Sequence, residues 1–311
     1  MGWGRTLFVG VMLAPVLVGV AGPARTYEVE DHGDNAADSV DVFVVTTAQT
    51  AVDLRVSPDG TFHYQLLGLL TWQGAGAPPV TLSKVAAARH GKELSLSVES
   101  GVVPPYSMSA TLVVKIPSSF RGEVRMTSHT GDLRMSGLNV RRVSGQLAAG
   151  DAVLDSLTAD VVEIVAQAGD IRLLRSRVET FKAATRAGEV RAEGVEAKSA
   201  VVETTSGDAY MVDWRGTLEC RTSSGEITAA LRDDASGPVS ITSASGNVKL
   251  TIPQAMGFAL KAASVSGGID SDLPLVLAGL KKNQASLMNG DGRVTLSVLT
   301  QSGDITFKRG R

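Results

Sequence analysis

Aromatic residues make up only 5% of this 311-residue chain, and Cys220 is its single cysteine. One cysteine excludes an internal disulfide framework. Few aromatics leave few platforms for stacking against sugar rings or bases. Charge of one sign is also missing: 30 Lys and Arg face 32 Asp and Glu, for a net charge of -2. A nucleic-acid binder would show a basic patch or stripe, so that class is set aside. Long hydrophobic runs are absent after the N-terminus. The one charge-free apolar run, residues 7–20, falls short of the roughly 20 apolar residues a spanning helix needs. Arg5 precedes it, and small residues follow from Gly19 to Ala24. This pattern reads as a signal peptide over residues 1–24, cleaved after Ala24 or else Ala21. An uncleaved anchor is the competing reading. The expectation is export to the periplasm, the cell surface or the medium, with no membrane span after signal removal.

What the chain does have is 33 glycines, many of them periodic. Gly131, Gly150, Gly169, Gly188 and Gly207 recur every 19 residues, and Gly225, Gly246, Gly267 and Gly303 continue the series less strictly. A short fixed period marks a solenoid, in which each coil buries its apolar face against its neighbours. Positions +2 and +4 from each glycine are mostly apolar, as in Leu133 and Met135 or Ile171 and Leu173. Positions -7 and -5 form a second apolar pair, as in Val124 and Met126 or Val162 and Ile164. Both pairs alternate with polar residues, so each coil carries two strands. The glycine is expected to take positive φ at the turn between them.

Two further columns carry chemistry. At -3, seven of nine residues are Ser or Thr, among them Ser128, Thr185, Thr204 and Thr222. Stacked hydroxyls are expected to bond to the next coil or to turn backbone. A serine nucleophile would need an adjacent base. His129 follows Ser128, but strand neighbours point to opposite faces. Cys220 falls in the -5 column and is expected to be a small buried hydrophobe. At +1 stands a column of acids, including Asp132, Asp151, Asp170, Glu189, Asp208 and Glu226. Unit charges about 4.8 Å apart repel by roughly 1 kcal/mol in water. Relief is expected from turn N–H groups and from the +3 column, which holds Arg134, Arg172, Arg191 and Lys249. The alternative is a row of calcium sites at Asp132, Asp151, Asp170 and Asp208. One carboxylate per coil is a thin supply for a cation that takes six to eight oxygens. No metal, cofactor or catalytic residue is therefore expected.

The organisation reads as follows. Residues 25–38 are a polar arm. Residues 39–122 form an irregular β cap with one degenerate coil, in which Thr50 replaces the glycine. Residues 123–308 are the solenoid, with an insertion at 270–292 that is a hairpin or lid. Residues 309–311 are a basic tail.

The string Thr222-Ser223-Ser224-Gly225-Glu226-Ile227, with relatives at 205–208 and 301–305, resembles the bacterial putative-adhesin β-strand-repeat family. That family has no established function and is related in pattern to the head domain of putative autotransporter adhesins. The run 110–117 looks like its entry into the first coil. The resemblance spans roughly residues 40–308. It implies an all-β, single-stranded parallel β-helix with a right-handed coil, in an exported or envelope-associated protein. The functional expectation is a non-enzymatic scaffold or adhesin-like binding module, monomeric, whose partner is an envelope protein or a surface glycan. The alternatives are a polysaccharide lyase or hydrolase and a self-assembling filament. The surface patch expected to bind is Tyr210, Trp214, Arg172 and Arg191.

Overall fold

The computed structural model describes residues 13–14, 25–72, 84–99, 106–278 and 283–310. The signal-peptide reading therefore lies outside the described residues, apart from Leu13–Ala14, which pair with Thr26 and Tyr27. Among the described residues every regular element is a strand. The sheet is mixed: parallel ladders fill the middle, and antiparallel strands close both ends.

Each middle coil contributes a short strand after its glycine and a long strand before the next. The short strands, such as Leu133–Ser136, Ala152–Asp155 and Ile171–Leu174, pair in parallel as sheet A. The long strands, such as Asn139–Ala149, Thr158–Ala168 and Arg177–Ala187, pair in parallel as sheet B. Equivalent residues meet in register, Leu133 with Ala152 and Val143 with Val162. The core columns read from the sequence are buried accordingly.

The coil contains a third inward stripe. Leu138, Leu157, Val195 and Trp214, with Val140, Ala159 and Val178, are all buried. They lie out of phase with the strand before them, because the preceding residue takes positive φ. Gly137, Ser156, Arg175, Gly194 and Asp213 all do so, with φ between 46° and 71°. A left-handed residue reverses the alternation of a strand, so the interior side shifts by one position.

The turn glycines share something other than positive φ. Gly150, Gly169, Gly188 and Gly225 do take it, with φ between 125° and 154°, whereas Gly131, Gly207, Gly246, Gly267 and Gly303 do not. What all nine share is close approach. A Cβ on any of them would overlap the backbone carbonyl of the turn residue in the coil below.

Space and sequence order differ at both ends. Gly303 stacks on Gly246, and Gly267 stacks on Gly303. The last coil, with strands Val294–Thr300 and Ile305–Arg309, therefore sits between the two coils that precede it in sequence. At the other end, Val42–Thr47 lies between Glu123–Ser128 and Glu93–Glu99. The degenerate coil is thus a full member of the stack.

The expected polar arm is instead strand Arg25–Ala36, paired antiparallel with Thr61–Trp72 along its whole length. Tyr27 and Val29 point inward, Glu28, Glu30 and Asp34 alternate outward, and Asp31 is half-buried on the inner side. A charged edge of this kind discourages pairing with another chain. Strand Lys84–His90 closes toward it, with Val85 N–H donating to Asp31 Oδ2 at 2.8 Å. Phe43, Phe62 and Phe120 fill the cap, with ring centroids 5.0 and 5.4 Å apart. The insertion at 270–292 contains a hairpin: Gln284–Asn289 pairs antiparallel with Phe258–Ser264 and with Val276–Ala278.

His63 ties this cap together. Its Nδ1 lies 2.5 Å from Asp34 and its Nε2 lies 2.8 Å from Asp59. The Asp34 carboxylate, then Asp59, hold its pKa above the ordinary 6.5. A raised folded-state pKa stabilises fully below 6.5, and that stability is lost as pH rises through the folded value. Asp59 is shifted down by His63, so its contribution fails only as pH falls below the ordinary 3.8. His63→Gln is therefore expected to melt below the parent at pH 5.5, with the gap closing by pH 9. A gap that does not change with pH would show that the imidazolium is not the stabilising species.

Candidate binding surfaces

The acidic column is held by backbone. The carboxylates of Asp132, Asp151, Asp170 and Asp208 each reach one coil along the stack and accept the N–H of the next column member. Asp151 N–H donates to Asp132 Oδ1 at 3.0 Å, Asp170 N–H to Asp151 Oδ1 at 2.9 Å and Glu189 N–H to Asp170 Oδ1 at 2.9 Å. Glu226 N–H donates to Asp208 Oδ1 at 2.7 Å. Hydrogen bonds to an ionised acceptor are about twice as strong as neutral ones, which offsets the repulsion along the column. Asp170 and Asp208 spend their second oxygens too, on Arg172 at 2.7 Å and on the Tyr210 hydroxyl at 3.2 Å. A cation at Asp132, Asp151, Asp170 or Asp208 would have to compete with these bonds. Among the described residues, no three His, Cys, Asp or Glu side chains gather in a metal-holding group.

Three of the four predicted surface residues do come together. Arg172, Arg191 and Tyr210 are register neighbours on the outer face of sheet A. The Arg191 guanidinium lies 5.8 Å from the Tyr210 ring centroid, within cation–π range. Arg191 also bonds Glu193 at 3.1 Å. Trp214 is a correction. It is 0% exposed, and its Nε1–H donates to the Gly216 carbonyl at 3.1 Å. The positive φ of Asp213 turns it inward, into the third stripe.

The hydroxyl column is buried, and most of its members bond to the next coil or to turn backbone. Thr204 donates to Thr222 Oγ1 at 2.8 Å, and Ser128 Oγ accepts Gly131 N–H at 2.9 Å. Ser243 Oγ and Thr300 Oγ1, which are register neighbours, have no partner. His129 is exposed while Ser128 is buried, so the two face opposite sides. Cys220 is fully buried, and burial pushes its thiol pKa up to about 12. A thiol so held is a poor nucleophile at neutral pH.

A surface the sequence did not single out lies on the outer face of sheet B. A trough of about 650 Å³ crosses the middle and later coils there. Its floor is short side chains such as Ala184, Thr205, Ser223 and Ala244, and its sides include Arg186, Glu203 and Arg221. The short residues stand in the outward columns where longer ones would fill the space. A second groove, of about 590 Å³, runs along the third stripe, between Asn139 and Gly237. It is spanned by ion pairs, with Glu196 accepting from Arg177 at 2.8 Å and Arg215 at 3.2 Å.

Comparison with solved structures finds bacterial proteins of similar extent. A putative adhesin from Bacteroides fragilis is 14% identical, covers 89% of this chain and 96% of its own, and has a TM-score of 0.47. Putative adhesins from Parabacteroides distasonis and Parabacteroides merdae are 9% and 12% identical, with TM-scores of 0.43 and 0.42. They cover 89% of this chain in both cases, and 96% and 95% of their own. No curated protein matches the chain. The Toastrack DUF4097 family matches residues 87–308, from the cap to the last coil, and the chain belongs to that family.

Proposed function

We propose that this protein is a non-enzymatic, exported binding scaffold of adhesin type: a rigid, right-handed, single-stranded parallel β-helix that presents its outer faces to an envelope protein or a surface glycan. One observation carries the reading. Four outward aspartates of sheet A, Asp132, Asp151, Asp170 and Asp208, are committed to the stack itself, and the sheet B trough is left as an extended open surface. Extended surfaces built from repeating coils are how solenoids bind. The signal-like N-terminus supports export. Arg172, Arg191 and Tyr210 form the second candidate surface.

The experiment is a pull-down from envelope extract together with a glycan array, using the purified full-length protein, followed by analysis of whatever is retained. Retention of a partner that is released chemically unchanged is expected. New reducing ends or unsaturated sugars in a retained glycan would overturn the reading in favour of a lyase or hydrolase.

A further inference from the structure

We propose that the sheet B trough binds an acidic polysaccharide, with Lys182 and Arg186 as its anion contacts. This rests on the binding-scaffold reading above and gives it a ligand class.

The charges on this face decide the position. Strand Arg177–Ala187 presents Lys182, Ala184 and Arg186 outward, in that order; Ala184 and Arg186 line the trough, and Lys182 stands one outward position beyond its lining. The two cations are four residues apart, about 13 Å at strand rise, with the low Ala184 between them. Neither has an ion-pair or hydrogen-bond partner among the described residues. Their neighbours on the same face are committed. Arg125 bonds Glu123 at 2.7 Å, Arg142 bonds Glu163 at 2.7 Å, and Arg221 bonds Glu203 at 3.2 Å and also Glu219. Glu163, the register partner of Lys182, is held by Arg142, and Glu203, the register partner of Ala184 and diagonal to both cations, is held by Arg221. Lys261 is also unpaired on this face but lies at its C-terminal end, beside Ser286 and Ser297.

The remaining chemistry selects the ligand. Both edges of strand Arg177–Ala187 are bonded to neighbouring strands, so no peptide can add here by main-chain pairing. No aromatic side chain lines the trough, so stacking on a sugar ring contributes nothing and a neutral glycan has little to hold it. Thr205, Ser223 and Thr242 offer hydroxyls, and Gln167 and Gln301 offer amides, all able to donate and accept. A polymer with carboxylates for the two cations and hydroxyls for the rest matches this lining. An acidic peptide would match the cations and, through its backbone N–H and C=O groups, part of the lining, but it could not add to the sheet as a strand.

The test is calorimetric titration of the full-length protein with three probes: an oligogalacturonate, the same oligomer methyl-esterified, and poly-glutamate. The oligogalacturonate is expected to bind, more weakly as salt rises, and the ester at least tenfold less well. Lys182→Gln/Arg186→Gln is expected to lose at least tenfold in affinity with an unchanged melting temperature. Lys249→Gln, on the opposite sheet, is expected to bind like the parent. Poly-glutamate binding more tightly than the oligogalacturonate would overturn the proposal in favour of an acidic protein partner. Binding unaffected by the double variant but abolished by Arg172→Gln/Arg191→Gln would sink the trough and leave the scaffold standing. No retention of any glycan or protein, in titration, array or pull-down, would sink both.

Discussion

Gly169→Ala is expected to cost about 3 kcal/mol or more, the sum of two separable terms. Gly169 has φ 125°, where a side chain is strained, and its Cβ would overlap the Gly150 carbonyl oxygen. Backbone strain of this kind costs about 1–3 kcal/mol, and overpacking a fitted contact typically costs another 1–3 kcal/mol. The turn cannot easily yield, because Gly150 is itself stacked on Gly131, and the whole column would have to move. Other glycines separate the terms. Gly60→Ala meets nothing within 4 Å and is expected to be near neutral. Gly91→Ala, with φ 60° and open space around it, carries strain alone. Gly207→Ala carries overlap alone. Urea unfolding of the four variants, read coil by coil through hydrogen exchange since repeat stacks need not unfold as one unit, gives the ordering. If Gly169→Ala unfolds no more easily than Gly91→Ala, close stacking is not what selects glycine here.

That column shows how legible the sequence was, and where it stopped. The glycine period and the apolar pairs around Leu133 and Val124 are local signals, and the strands lie where those signals put them. The reason for the glycines was only half visible, since closeness to the coil below cannot be seen along one chain. The third stripe was missed because its turn column reads Gly137, Ser156, Arg175, Gly194, Asp213. Two glycines in five hide a position that is left-handed in all five of these coils. The strand at Arg25–Ala36 was missed because its outward side is acidic and only Tyr27 and Val29 mark its inner face. The inverted order of the terminal coils leaves no local trace, because Gly267 and Gly303 satisfy the same pattern in either order. At the candidate surfaces, Arg172, Arg191 and Tyr210 could be placed by counting along the +3 column. Lys182 and Arg186 could not be singled out, because their distinction is the lack of partners on adjacent coils.

Trp214→Ala is expected to act on folding rather than on binding, losing about 3–5 kcal/mol, the usual cost of deleting a buried Trp. The indole is fully buried, faces Leu231 in register and donates to the Gly216 carbonyl. Here the coil shortens, and the ladder slips between Met211 and Trp214 and between Glu196 and Ser199. Trp214 stands at this slip, in the column that Leu157 and Val195 occupy in the earlier coils. Trp214→Phe keeps most of the volume and loses the hydrogen bond, so about 1–2 kcal/mol is expected. Since each coil touches only its neighbours, the damage should centre on strands Glu196–Ser206 and Ile227–Leu231 before it reaches the cap. Hydrogen exchange would show accelerated opening there, with protection at Phe43 and Phe62 retained. Tyr210→Ala, three residues upstream of Asp213 and facing outward, should leave stability within about 1 kcal/mol of the parent. An unchanged melting temperature for Trp214→Ala, combined with loss of a bound partner, would return the indole to the surface and overturn the third inward stripe at this coil.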